Sequence, residues 1–75
     1  SIAFELSKAS EINMSVYSIT GQKIKEIVSG YLFSGKHAFT WDGTDDSGKR
    51  LSSGVYFARL DDGTHAVTSK LLLMK

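Results

Sequence analysis

Eight carboxylates and two histidines are the groups in this chain suited to acid–base chemistry. Five of the carboxylates, Asp42, Asp45, Asp46, Asp61 and Asp62, fall in turn-rich segments. A working acid and base need a cleft that pushes their pKa values apart, and hairpin turns provide none. His37 and His65 could serve a serine nucleophile. No Gly-x-Ser-x-Gly elbow occurs, however, and Ser52-Ser53-Gly54 lacks the flanking residues of one. Each histidine reads more simply as a strand residue at a sheet edge. No catalytic residue is expected, and the chain reads as non-enzymatic.

Metal and ligand chemistry come next. The run from Asp42 through Gly43, Thr44, Asp45, Asp46 and Ser47 to Gly48 looks like the start of a calcium loop. An EF-hand places its turn glycine at position six and a bidentate Glu at position twelve. Here the glycine falls at position seven and Ser53 at position twelve. Asx turns, in which the carboxylates accept from nearby backbone N–H groups, are the first reading, and a looser, turn-bound calcium is the alternative. No metal and no cofactor is expected. Tyr31 and Phe33 lie between Gly30 and Gly35 in a predicted loop. There they either stack on a sugar ring or a partner, or cover one end of the fold. Trp41 closes an alternating run with Phe39, which predicts core packing.

These side chains need a frame, and 75 residues make one domain. A chain of this size buries about 60–65% of its unfolded surface, enough for one thin core and too little for a deep cleft. Hydrophobic residues make up 41%, which excludes a disordered tail. With no cysteine there is no disulfide framework and no Cys-ligated zinc site. Nine Lys and Arg against eight Asp and Glu give a net charge of +1, and the lysines are scattered singly. No nucleic-acid partner is expected. No apolar run approaches the roughly 18–20 residues of a membrane helix. Seven glycines punctuate the chain, proline is absent, and it opens at Ser1 without an initiator Met. Residues 1–75 read as a single module of a larger protein, and as a monomer.

Period-two alternation dominates. Ile2, Phe4 and Leu6 predict a first strand, and Ile12, Met14 and Val16 a second. Residues 22–28 are ambiguous, because Ile24, Ile27 and Val28 have near-helical spacing. Seven residues between glycines make a marginal helix, so a strand with a bulge is predicted. His37, Phe39 and Trp41 predict a further strand, and a short one is expected near Arg50 and Leu51. Val55–Leu60 and His65–Met74 predict an antiparallel hairpin, with Asp62-Gly63 at the centre of its turn. The sum is an all-β fold, a small immunoglobulin-like β-sandwich of six to seven antiparallel strands.

The faces can be assigned too. Arg59 shares a face with Val55 and Phe57, and an unpaired buried Arg is costly, so that face points to solvent. Tyr56, Ala58 and Leu60 then face the core, and Tyr56 suits a tyrosine corner, its hydroxyl bonded to nearby backbone. The last strand ends apolar on both faces, which a strand with one solvated face does not need. Its end is either covered or a docking surface.

Several segments in order carry a resemblance. They are Gly21 to Ile24, Trp41 to Lys49 with its Trp-Asp-Gly opening, Ser53 to Leu60 with its Ser-Gly-Val-Tyr-Phe run, and Lys70 to Lys75. Together they resemble the C-terminal sorting domain of the type IX (Por) secretion system, a family related to the Ig-like domain of flagellar hook-capping proteins. The resemblance implies a non-enzymatic β-sandwich that directs a cargo protein through periplasm and outer membrane to the medium or cell surface of a Gram-negative bacterium. It implies as partners the type IX translocon, a sortase-like peptidase and the N-terminal cargo domains. It maps recognition onto Gly54, Val55 and Tyr56, and onto Lys70, Leu71, Leu72, Leu73, Met74 and Lys75. The Asn-Pro-rich lead-in of that family is absent, and Tyr31 and Phe33 stand where it carries polar or small residues. The alternative is an accessory Ig-like module of an extracellular hydrolase, either a carbohydrate-binding unit or a structural spacer.

Overall fold

The computed structural model describes residues 2–74. Six strands follow in order: β1 Ile2–Leu6, β2 Ser10–Ser18, β3 Lys23–Leu32, β4 Gly35–Phe39, β5 Gly54–Asp61 and β6 Ala66–Leu73. β1 and β4 form a two-stranded antiparallel sheet. The other four form an antiparallel sheet in the order β3-β2-β5-β6. This is the expected Ig-like β-sandwich, with six strands.

The core lies on the inner face of the larger sheet. Ile12, Met14 and Val16 of β2 are buried with Tyr56 and Ala58 of β5. Burying an aliphatic side chain of this size contributes about 1.5–3 kcal/mol each. Register places Val16 opposite Ala58 and Met14 opposite Leu60, so one face continues across the strands. Arg59 is on the exposed face as predicted, 3.9 Å from Asp61. Ser15 faces the other way from the core residues and is still buried, because Glu26 and Arg59 flank it on neighbouring strands. Its hydroxyl donates to Asn13 Oδ1 at 3.2 Å, which satisfies it.

The ambiguous segment is β3, and it carries two bulges. Pairing with β2 jumps from Met14↔Val28 to Ser15↔Glu26, and from Val16↔Lys25 to Tyr17↔Lys23. Ile27 and Ile24 are the extra residues. Two insertions into a period of two produce the near-helical spacing seen in the sequence.

Four boundaries differ from expectation. β4 stops at Phe39, so Trp41 lies in the following chain. Near Arg50 there is a lone bridge to Thr44 in place of a strand. β3 runs on to Leu32, which puts Tyr31 on a strand opposite Glu11 and leaves 33–34 as the connection. The final turn is centred on Gly63-Thr64, with Asp62 N–H donating to the His65 carbonyl at 3.0 Å. Only Gly63 takes a positive φ, +90°, whereas a turn centred on Asp62-Gly63 with both residues left-handed would force Asp62 into that region. His65 therefore belongs to the turn, and β6 begins at Ala66.

Candidate functional site

The segments named from the resemblance converge at one end of the larger sheet. β5 opens with Gly54, Val55 and Tyr56, and register sets them opposite Leu73, Leu72 and Leu71. Lys70 stands opposite Phe57. Lys75 lies outside the described residues. Tyr56 is buried and anchors the cluster. Its hydroxyl donates to the Ser52 carbonyl at 2.7 Å, the predicted tyrosine corner. The Trp41 ring meets the Tyr56 ring edge-on, 5.2 Å between centroids, and Trp41 Nε1–H donates to the Thr44 carbonyl at 2.9 Å. Trp41 is thus half-buried against the core through Tyr56.

Gly43 completes the junction. Its φ is +80°, which L side chains rarely adopt, and a Cβ there would stand 2.9 Å from Leu73 Cδ1. The Trp-Asp-Gly motif therefore closes over the inward side of β6, and no pattern of alternation could have shown that contact.

The aspartates brace this loop from within. Asp42 Oδ1 accepts from Thr44 N–H at 3.1 Å and from the Thr44 hydroxyl at 2.6 Å. Asp45 Oδ1 accepts from Ser47 N–H, the Ser47 hydroxyl and Lys49 N–H at 2.9, 2.6 and 3.0 Å. The Thr44 hydroxyl holds the Asp42 carboxyl below its ordinary range, and the Ser47 hydroxyl does the same for Asp45. Lys25 Nζ reaches the Thr44 hydroxyl at 2.9 Å and tethers the loop to β3. Among the described residues no group of three or more His, Asp or Glu side chains is placed to hold a metal ion.

The same loop blunts one edge of the sheet. Asp46 N–H donates to the Ile24 carbonyl at 3.1 Å, and Asp46 Oδ1 accepts from Glu26 N–H at 3.2 Å. A bulged strand with its outward groups occupied is a poor template for another strand. The opposite edge is β6. Its register with β5 is unbroken over eight residues, from Gly54↔Leu73 to Asp61↔Ala66. Leu71 and Leu73 are half-buried, while Leu72 is 68% exposed and Met74 82%.

Tyr31 and Phe33 lie elsewhere. Asn13 pairs with Asp61, which puts Tyr31 at the same end of the sheet as the β5–β6 turn, across β2 from it and far from Gly54 and Leu73. They are 68% and 78% exposed, so they cover nothing. His37 is in β4, stacked on Phe4 at 5.4 Å, with Nε2–H donating to the Phe33 carbonyl at 2.7 Å. The two histidines sit in different elements, His37 in β4 and His65 at the turn between β5 and β6.

Comparison with known proteins adds the family. No curated protein and no solved structure matches the chain. Residues 1–64 match the FlgD Ig-like domain, a stretch that carries the sandwich as far as the turn before β6. The family relation is to a generally non-catalytic accessory module. With the match covering most of its length and the fold agreeing, the chain belongs to the FlgD Ig-like domain family.

Proposed function

We propose that this Ig-like module is a sorting and anchoring domain that carries an attached cargo protein across the outer membrane by type IX secretion. The observation that carries the reading is the end of β6. Leu72 and Met74 point large apolar side chains to solvent on an uncovered sheet edge, beside the Gly54–Tyr56 segment. A fold that needed only a stable sandwich would place polar residues there. On this reading the translocon grips Val55, Leu72 and Met74 with Lys70 at the margin, and Tyr56 holds the segment in place from within. The cargo lies N-terminal to the module, a sortase-like peptidase acts after export, and the destination is the cell surface or medium.

A reporter protein fused to residues 1–75, in a Gram-negative bacterium that has the type IX system, tests this directly. The fusion is expected at the surface or in the medium, and the reporter without the domain in the periplasm. Equal periplasmic retention of both contradicts the proposal.

A further inference from the structure

We infer that the free edge of β6 takes up a partner strand: an extended peptide with alternating apolar residues and an acidic residue opposite Lys70. The two ends of the larger sheet are built differently. At β3, two bulges break the ladder and Asp46 occupies the Ile24 carbonyl and the Glu26 N–H. At β6 the ladder is regular, and among the described residues no backbone bond reaches its outer side. Alternate N–H and C=O groups on such an edge are completed only by water or by another strand.

The side chains say which strand. Val67 pairs with Leu60 and so shares the inner face with Tyr56 and Ala58, yet it is 61% exposed. The inner flank of β6 is left open by the two-stranded sheet, and a strand laid beside β6 would cover Val67 with its own inward apolar residues. On the outer face Lys70 stands between Thr68 and Leu72. Lys70 is the one charged residue between Ala66 and Met74. It has no ion-pair partner among the described residues. A carboxylate opposite it would set the register. A second copy of the chain fits less well, because overlapping two β6 edges about their middle brings Lys70 directly or diagonally opposite its own copy. On the sorting reading, on which this proposal rests for the origin of the partner, the incoming strand belongs to the secretion machinery.

The test uses the 75-residue domain and a synthetic Val-Thr-Val-Glu-Val-Thr-Val peptide, read by amide hydrogen exchange. Slowed exchange is expected at alternate amides of β6 alone, with saturation as peptide is added. Exchanging the central Glu for Lys should weaken binding by about two- to five-fold, and Lys70→Glu should reverse that preference by a similar factor. No protection on β6, protection beside Tyr31 and Phe33, a preference unmoved by Lys70→Glu, or a β6-joined dimer in ultracentrifugation would each overturn the proposal. Export is scored separately. Strand uptake with normal export of the Lys70→Glu reporter leaves the open edge standing and counts against its use in sorting.

Discussion

At the scale of single residues, the junction rests on two atoms that alternation does not reveal. The first is the Tyr56 hydroxyl on the Ser52 carbonyl. Tyr56→Phe should cost about 0.5–1.5 kcal/mol in chemical denaturation, as for the loss of one part-buried hydrogen bond. Tyr17→Phe on the outer face should leave stability unchanged. The second is the missing Cβ of Gly43. Gly43→Ala should cost about 1–3 kcal/mol, combining backbone strain with the clash at Leu73. Gly48→Ala, at φ +88° in open space, should cost only the strain, so the difference between the two isolates the contact. The carboxylates set the response to acid. Asp42 and Asp45 titrate below the ordinary aspartate value of about 3.9. Folding therefore favours their charged forms. That stabilisation is fully present above the unfolded value and is lost as pH falls through the lower folded values. Asp45→Asn should flatten the fall of Tm on acidification below about pH 4, measured by thermal melts across that range.

At the scale of elements, β3 and the loop after Trp41 act as a pair. The alternation of β1, β2 and β5 was readable because each strand turns one face inward, and a period of two follows from that. The same logic exposed Arg59, buried Tyr56 and flagged the two-sided end of β6. It failed where the period is interrupted. Ile24 and Ile27 mimic a helix because each is a bulge residue. The role of Asp46 was hidden because it depends on a contact twenty residues away in the chain. Ser15 gave no sign of burial because its neighbours come from two other strands. If Asp46 guards the β3 edge, Asp46→Ala should speed exchange of the Glu26 amide and leave the β5–β6 amides unchanged. Unaltered exchange at Glu26 would remove that role.

At the scale of the whole molecule, the fold is a four-stranded sheet half covered by a two-stranded one, with one guarded edge and one open edge. The sandwich up to the turn before β6 is what the family match accounts for. The strand beyond it carries the exposed apolar side chains on which the sorting reading stands. Removing β6 would strip Leu71 and Leu73 from the packed side along with Leu72 and Met74 from the exposed side, and so confuse unfolding with loss of recognition. Changing only the outward side chains separates the two. The decisive measurement is export of a reporter whose domain carries Leu72→Lys and Met74→Lys together, with the stability of the purified domain measured in parallel. Stability is expected within about 0.5 kcal/mol of the parent, as for surface substitutions, while the reporter accumulates in the periplasm. Undiminished export from an equally stable domain would contradict the assignment of β6 as the recognition edge.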